Sequence, residues 1–215
     1  LTEPWAIPLQ EGRLADFLKA SQDTAPGVAV DLEDSRAQDV WLSGRIVDAE
    51  SRYNLMRLAM PGAAQAPERA LWLRVAAQAG VTADLARQVI DRFAPTSPDA
   101  VSPQPPLSLA HLIIQIPALA PWATRLSEQV VILPDFTAIN VNTAAKPLLL
   151  ALIPDLDEVG VERFLQRRLR APWRDVDEIN NAFPDKPLNI VRSQVGFASR
   201  YFIITSQVRL GANSG

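Results

Sequence analysis

The stretch INVNTAAKPLLLALIPDLDEVGVERFLQRR, Ile139 to Arg168, decides how the chain is read. An apolar run from Leu148 to Ile153 gives way to the turn IPDLDEVG, after which Val161, Phe164, Leu165 and Arg168 recur at helical spacing. The pattern predicts two short helices joined by a tight turn. Asn142 and Thr143 offer cap oxygens ahead of the first helix, Pro147 restricts where it starts, and leucines on every side predict burial all round. Asp157 is placed to cap the second helix. Asp175 caps a third element, whose Val176, Ile179 and Phe183 form a core stripe.

Helical hairpins of this kind can grip nucleic-acid phosphates, provided the turn is glycine-rich and its N–H groups lie open ahead of a helix N-terminus. Here Asp155, Asp157 and Glu158 stand where the phosphate would sit and would repel it. Arg163, Arg167, Arg168 and Arg170 lie at the far end of the second helix, where they suit its dipole. A net charge of −3 over 215 residues removes the general basic field on which non-specific nucleic-acid binding depends. Scaffold is therefore the expected role of the hairpin, with a nucleic-acid-binding helix-hairpin-helix protein as the alternative from another class.

Upstream the pattern is also helical. Leu71, Val75 and Ala79 repeat every turn up to Gly80, and Thr82 can cap a helix carrying Leu85, Val89 and Phe93. APTSPDAVSPQPPL (94–107), with five prolines in fourteen residues, reads as an extended surface loop, and Ser108 then caps a helix over Leu109, Leu112, Ile113 and Ile116. The two ends differ. Leu42 to Asp48 has strand character, and 194–210 (QVGFASRYFIITSQVRL), with Ala198 and Ser199 in position for a turn, predicts a β-hairpin or paired strands. EGRLADFLKA (11–20) spaces Leu14, Phe17 and Leu18 as a short amphipathic helix, whose face is the candidate surface for a partner helix or, equally, for packing on the chain's own sheet. Strands at both ends and helices between them imply an α+β chain, one sheet interrupted by an inserted helical domain. The expected boundaries are 1–60, 61–189 and 190–215.

Chemistry finds little purchase. With 48% hydrophobic residues the composition is that of an ordinary globular chain, and the absence of Cys excludes disulfides, thiolate metal sites and cysteine nucleophiles. The single histidine, His111, sits in the apolar helix SLAHLIIQI, where a structural role outweighs a transition-metal site or a catalytic triad. The acidic clusters DLED (31–34), DLDE (155–158) and DVDE (175–178) lack the glycine-bearing loop spacing of a calcium hand, and two of them are explained as helix caps. No GxSxG, HExxH or phosphate loop occurs, so no catalytic residue is expected. Of Trp5, Trp41, Trp72, Trp122 and Trp173, most should be core.

Taken in order, GRIVDAESRYNL (44–55), LPDFTAINVNTAAKPLLLAL (133–152), ERFLQRRLRAPWRDVDEI (162–179) and SRYFIITSQVRL (199–210) resemble GspK, the K-type minor pseudopilin of the type II secretion system. WAIPLQEGRLADFL (5–18) is similar to the family's segment after its membrane helix. The most specific part is Asp48, Arg52, Tyr53, Asn54 and Leu55 taken together with NVNTA. The resemblance implies a pseudopilin-like helix with a small antiparallel sheet, into which a large all-α domain with a helix-hairpin-helix-like (SAM-like) unit is inserted. It implies that Leu1 follows a membrane-embedded helix cleaved by a prepilin peptidase. The implied role is non-enzymatic: assembly with I- and J-type minor pseudopilins at the pseudopilus tip, on the periplasmic face of the inner membrane, to initiate or cap the filament, with secreted proteins as further contacts. Tyr53 and Asn54 would hold the sheet-to-insert junction, and Asn140, Asn142 and Thr143 the helical pair, beside Asp48 and Arg52 of the same motif. Family members often carry an acidic, Gly-containing segment that can hold calcium. Here the Pro-rich stretch replaces it, so no cofactor is expected and the metal is left open.

Overall fold

The computed structural model describes residues 9–13, 16, 40–93 and 105–210. The strands are β1 (Leu9–Arg13), β2 (Val40–Asp48), β3 (Tyr53–Asn54), β4 (Val130–Val131), β5 (Ile139–Asn140), β6 (Val195–Gly196) and β7 (Phe202–Leu210). The α-helices are α1 (Gln65–Ala79), α2 (Ala83–Phe93), α3 (Leu109–Gln115), α4 (Ala123–Gln129), α5 (Lys146–Leu152), α6 (Glu158–Arg170) and α7 (Val176–Ala182). The chain divides into two compact units, Leu1–Val47 with Phe202–Gly215, and Asp48–Tyr201. Among the described residues no helix is long and apolar enough to cross a membrane.

The first unit holds a three-stranded sheet in the order β1-β2-β7. β1 runs antiparallel to β2, with Gly12 opposite Leu42 and Arg13 opposite Trp41, and the register shifts between Leu9 and Gly12. Residues 11–13 therefore belong to a strand and not to the helix that EGRLADFLKA predicts. The apolar spacing begins only at Leu14, and the ladder with β2 satisfies backbone groups that Gly12 and Arg13 could not pair as an isolated helical turn. Asp16 is helical, whereas Leu14, Phe17 and Leu18 lie outside the described residues. The guanidinium carbons of Arg13 and Arg209 stand 5.5 Å and 5.1 Å from the Trp41 ring centre, covering an indole that is half-buried.

The second unit is mostly helical. α1 buries Leu71, Trp72, Val75, Ala76 and Ala79 and stops at Gly80, whose φ of 83° is the left-handed cap that glycine adopts without strain. α1 packs against α2 and α5, and α6 packs against α5. Ser108 Oγ accepts from His111 N at 3.1 Å to start α3, Asp157 Oδ1 from Gly160 N at 2.8 Å to start α6, and Asp175 Oδ1 from Glu178 N at 2.6 Å to start α7. These are the caps the sequence predicts.

α5 departs from the expectation. Its cap residue is Ala145, with no side-chain bond, and Pro147 sits in the first turn, where its missing N–H costs nothing. Asn142 and Thr143 lie too far upstream to cap it. Leu148, Leu149, Ala151, Leu152 and Ile153 are buried and Leu150 is half-buried, so the predicted all-round burial of this helix holds nearly throughout.

Two further points correct the sequence reading. β3 pairs with β4, and β5 with β6, as parallel two-residue bridges, so this part of the chain is not built of helices alone. Residues 194–210 do not form a hairpin: β6 pairs with β5, while β7 neighbours β2. The predicted turn at Ala198 and Ser199 is drawn out instead, because Ser199 Oγ donates to Asp48 Oδ2 at 2.7 Å and the N–H groups of Arg200 and Tyr201 donate to Glu50 Oε1 at 2.7 Å and 3.2 Å.

Candidate functional site

Asp48 closes β2 and opens a short 3-10 turn, Ala49–Ser51, by accepting from Glu50 N at 2.8 Å. Its other oxygen, Oδ2, accepts from Asn140 Nδ2 at 3.0 Å, from Ser199 Oγ at 2.7 Å and from Thr143 Oγ1. A carboxylate only 3% exposed would be costly if bare, and these four donors are what make its burial tolerable. Asn140 extends the cluster through its Oδ1, which accepts from Asn142 N at 3.0 Å. Asn142 then pairs with Trp173 in both directions, its Nδ2 donating to Trp173 O at 2.9 Å and its Oδ1 accepting from Trp173 N at 2.7 Å. Segments distant in sequence are thereby tied at one buried polar point, and Asn142 carries the tie to the chain between α6 and α7.

A second cluster is built on β3. Asn54 Oδ1 accepts from Met56 N and Leu133 N, both at 3.1 Å, while its Nδ2 donates to Asp135 O at 2.5 Å and Thr137 Oγ1 at 3.2 Å. Tyr53 is wholly buried, its ring stacked 6.2 Å from Trp72 and its hydroxyl 3.3 Å from both the carbonyl and the Oε2 of Glu68. Burial, and then the negative charge of Glu68, push the phenol well above its ordinary value. Glu68 is held in turn by Arg57, whose Nη2 lies 2.7 Å from Glu68 Oε1 and 2.8 Å from Ser193 O, with Nη1 donating to Phe136 O at 3.0 Å.

Of the residues singled out from sequence, Asp48, Asn140 and Thr143 meet directly, Asn142 joins them one bond further on, and Tyr53 and Asn54 belong to the second cluster. Half-buried Arg52 closes the turn between them, its N–H donating to Ala49 O at 3.4 Å. Leu14, Phe17 and Leu18 lie outside the described residues, as does the acidic run 31–34. Sequence reasoning missed Glu50, Arg57, Glu68, Asp135 and Ser199. Glu50, Asp135 and Ser199 lie inside the segments 44–55, 133–152 and 199–210 that carry the resemblance, whereas nothing local announces that Arg57 and Glu68 will be buried together. His111 is half-buried, its Nε2 3.1 Å from Gln115 Nε2. Among the described residues no group of three or more His, Cys, Asp or Glu is placed to hold a metal ion.

Both clusters spend their polar atoms on internal ties, so what they define is an α+β fold whose polar motif fastens its elements together. Residues 139–196 match the family described as Type II secretion system (T2SS), protein K. The fold is similar to that of a chain in the GspK-GspI-GspJ complex of the enterotoxigenic Escherichia coli Type 2 Secretion System, with a TM-score of 0.58 and 18% identity over 91% of this chain and 86% of that one. No curated protein matches the chain in sequence. The resemblance to GspK-type minor pseudopilins is thus supported twice over: by the segment carrying NVNTA and ERFLQRRLRAPWRDVDEI, and by the fold.

Proposed function

We propose that this chain is the globular region of a non-enzymatic minor pseudopilin, which joins I- and J-type minor pseudopilins at the tip of the type II secretion pseudopilus and there initiates or caps the filament. The reading rests on the coincidence of the protein K match over 139–196 with a fold shared, across most of both molecules, with a chain of the GspK-GspI-GspJ complex. The unit Asp48–Tyr201 contains most of the residues, and a body of that size between repeats would interrupt a thin fibre, which favours a place at its end. In this reading α5 and α6 form the helix-hairpin-helix-like pair of a SAM-like inserted domain. Asp48, Arg52, Tyr53, Asn54, Asn140, Asn142 and Thr143 act as its internal fastenings, and Leu14, Phe17 and Leu18 offer a face to the partner helices. The location is the periplasmic face of the inner membrane, with secreted proteins as further contacts. Size-exclusion chromatography with light scattering, on this chain mixed with the globular regions of the I- and J-type pseudopilins of the same system, tests the proposal. A stable ternary species is the expected result; separate elution of all three across a range of salt and calcium concentrations would overturn it.

A further inference from the structure

α6 carries Arg163, Gln166, Arg167 and Arg170 at i, i+3, i+4 and i+7, which places them on one face of the helix. That face lines an open cleft of about 420 Å³, whose other wall is the segment Asn181 to Pro184 at the end of α7 and whose aromatic part comes from Trp173 and Phe183. Two of the guanidinium groups are fixed in advance. Arg163 lies 5.1 Å over the Phe183 ring and donates to Ala182 O at 2.8 Å. Arg167 lies 4.7 Å over the Trp173 ring and donates to Ala171 O at 2.7 Å. Stacking and one carbonyl bond each hold these planes still while leaving further N–H donors of the five-donor fork.

The charge balance of the cleft is positive. Arg167 is paired with Glu178, but Arg163 has no acidic partner, and the guanidinium of Arg170, exposed at the cleft edge, makes no hydrogen bond or ion pair with the described residues. The other carboxylates of these helices are committed elsewhere. Glu158 and Glu162 both pair with Lys146, at 2.6 Å and 2.7 Å, and Asp177 pairs with Arg192. Asp185, just beyond the wall, is exposed to solvent. Two unneutralised guanidinium groups seven residues apart on a helix are about 10 Å apart along its axis. One small anion cannot bridge that separation, whereas two acidic side chains of a single peptide can. A chain of net charge −3 with an acidic turn at 155–158 disfavours the long phosphate backbone of a nucleic acid at the same place.

We infer that the cleft between α6 and the end of α7 is a binding site for an acidic peptide segment of a partner protein, with Arg163 and Arg170 taking its carboxylates, while the buried rings of Phe183 and Trp173 serve to hold the Arg163 and Arg167 guanidinium planes. The inference rests on the cleft alone and stands or falls separately from the pseudopilus reading. Fluorescence anisotropy on the full chain tests it, using a labelled peptide of alternating Glu and Ala, the same peptide with Gln for Glu, and a labelled single-stranded oligonucleotide of equal charge. The expected result is saturable binding of the Glu peptide only, weakened about tenfold by Arg170→Ala and by Arg163→Ala, unchanged by Arg87→Ala, and falling as salt is raised. Arg170 is exposed, so its replacement leaves the fold intact and keeps the test decisive if Arg163→Ala unsettles Phe183. Absence of saturation, indifference to Arg170→Ala, or tighter capture of the oligonucleotide with the same dependence on Arg170 would each overturn it.

Discussion

Arg57 Nη2 lies 2.7 Å from Glu68 Oε1, with the two side chains only 3% and 1% exposed, so the pair is a buried ion pair linking the 3-10 helix Leu55–Ala59 to the first turn of α1. Such a pair adds little over a well-packed apolar substitute, but removing one partner strands the other charge away from water. Arg57 also serves the carbonyls of Phe136 and Ser193, and both would lose a donor with it. Arg57→Met should therefore destabilise the chain by about 3–5 kcal/mol. Urea unfolding followed by tryptophan fluorescence reads this directly, and a loss below about 1 kcal/mol would mean that water reaches the pair.

The Asp48 cluster makes a sharper demand on chemistry than on shape. Asp48→Asn keeps the volume but puts an NH2 group where an oxygen accepts, and Asn140 Nδ2, 3.0 Å from Oδ2, cannot turn into an acceptor without giving up its own Oδ1 bond to Asn142 N. The hydroxyls of Ser199 and Thr143 can rotate to accept; the amide cannot. The expected loss is about 2 kcal/mol in unfolding free energy, against less than about 1 for Ser199→Ala, where Oδ2 keeps two of its donors. Equal losses for the two variants would show that the carboxylate charge is immaterial to the junction.

Tyr53 gives the chain an alkaline weakness. Its folded-state pKa is raised, first by burial and then by Glu68, whereas in the unfolded chain it titrates near the usual value of about 10. Above that pH the unfolded state sheds a proton that the folded state retains, so stability is fully present below about pH 10 and falls as pH rises further, at up to about 1.4 kcal/mol per unit for this one group. Tyr53→Phe should flatten that fall relative to the parent. The only other tyrosine, Tyr201, is also raised, chiefly by its hydrogen bond to Asp135, but it is not enclosed and should ionise before the chain unfolds. An absorbance titration should then show one tyrosinate forming while the fold persists and the second only with unfolding; simultaneous ionisation of both in the folded chain would remove the argument.

What the sequence disclosed follows from the range of the interactions involved. Ser108, Asp157 and Asp175 act within three residues of themselves, and the stripes Leu71, Val75, Ala79 and Val176, Ile179, Phe183 have one helical period, so caps and core were readable locally. Asn142 and Thr143 looked like caps because the residue types suit that task, yet their partners lie 31 and 95 positions away, and no local rule chooses between the two uses. The same limit hid the parallel bridges, in which Ile139 meets Val195, and misdirected residues 11–13, whose strand state comes from pairing with β2 and not from propensity. The resemblance to GspK supplied the Asp48 motif as a set of positions. Which side chains would complete it was a matter of tertiary structure.

Gly44 separates propensity from packing. It lies in the middle of β2, where a β-branched residue suits a strand, and propensity alone predicts that Gly44→Val stabilises the sheet. A Cβ built there, however, would stand 3.0 Å from the carbonyl oxygen of Thr205 in β7, and a backbone atom cannot swing aside as a flexible side chain can. Valine would force β2 and β7 apart, at a cost of about 1–3 kcal/mol that exceeds its strand preference. Faster amide exchange along β7, with the helices of Asp48–Tyr201 unaffected, is the expected signature. Slower exchange at those amides would mean that the strands have room to give and that the glycine is there for another reason.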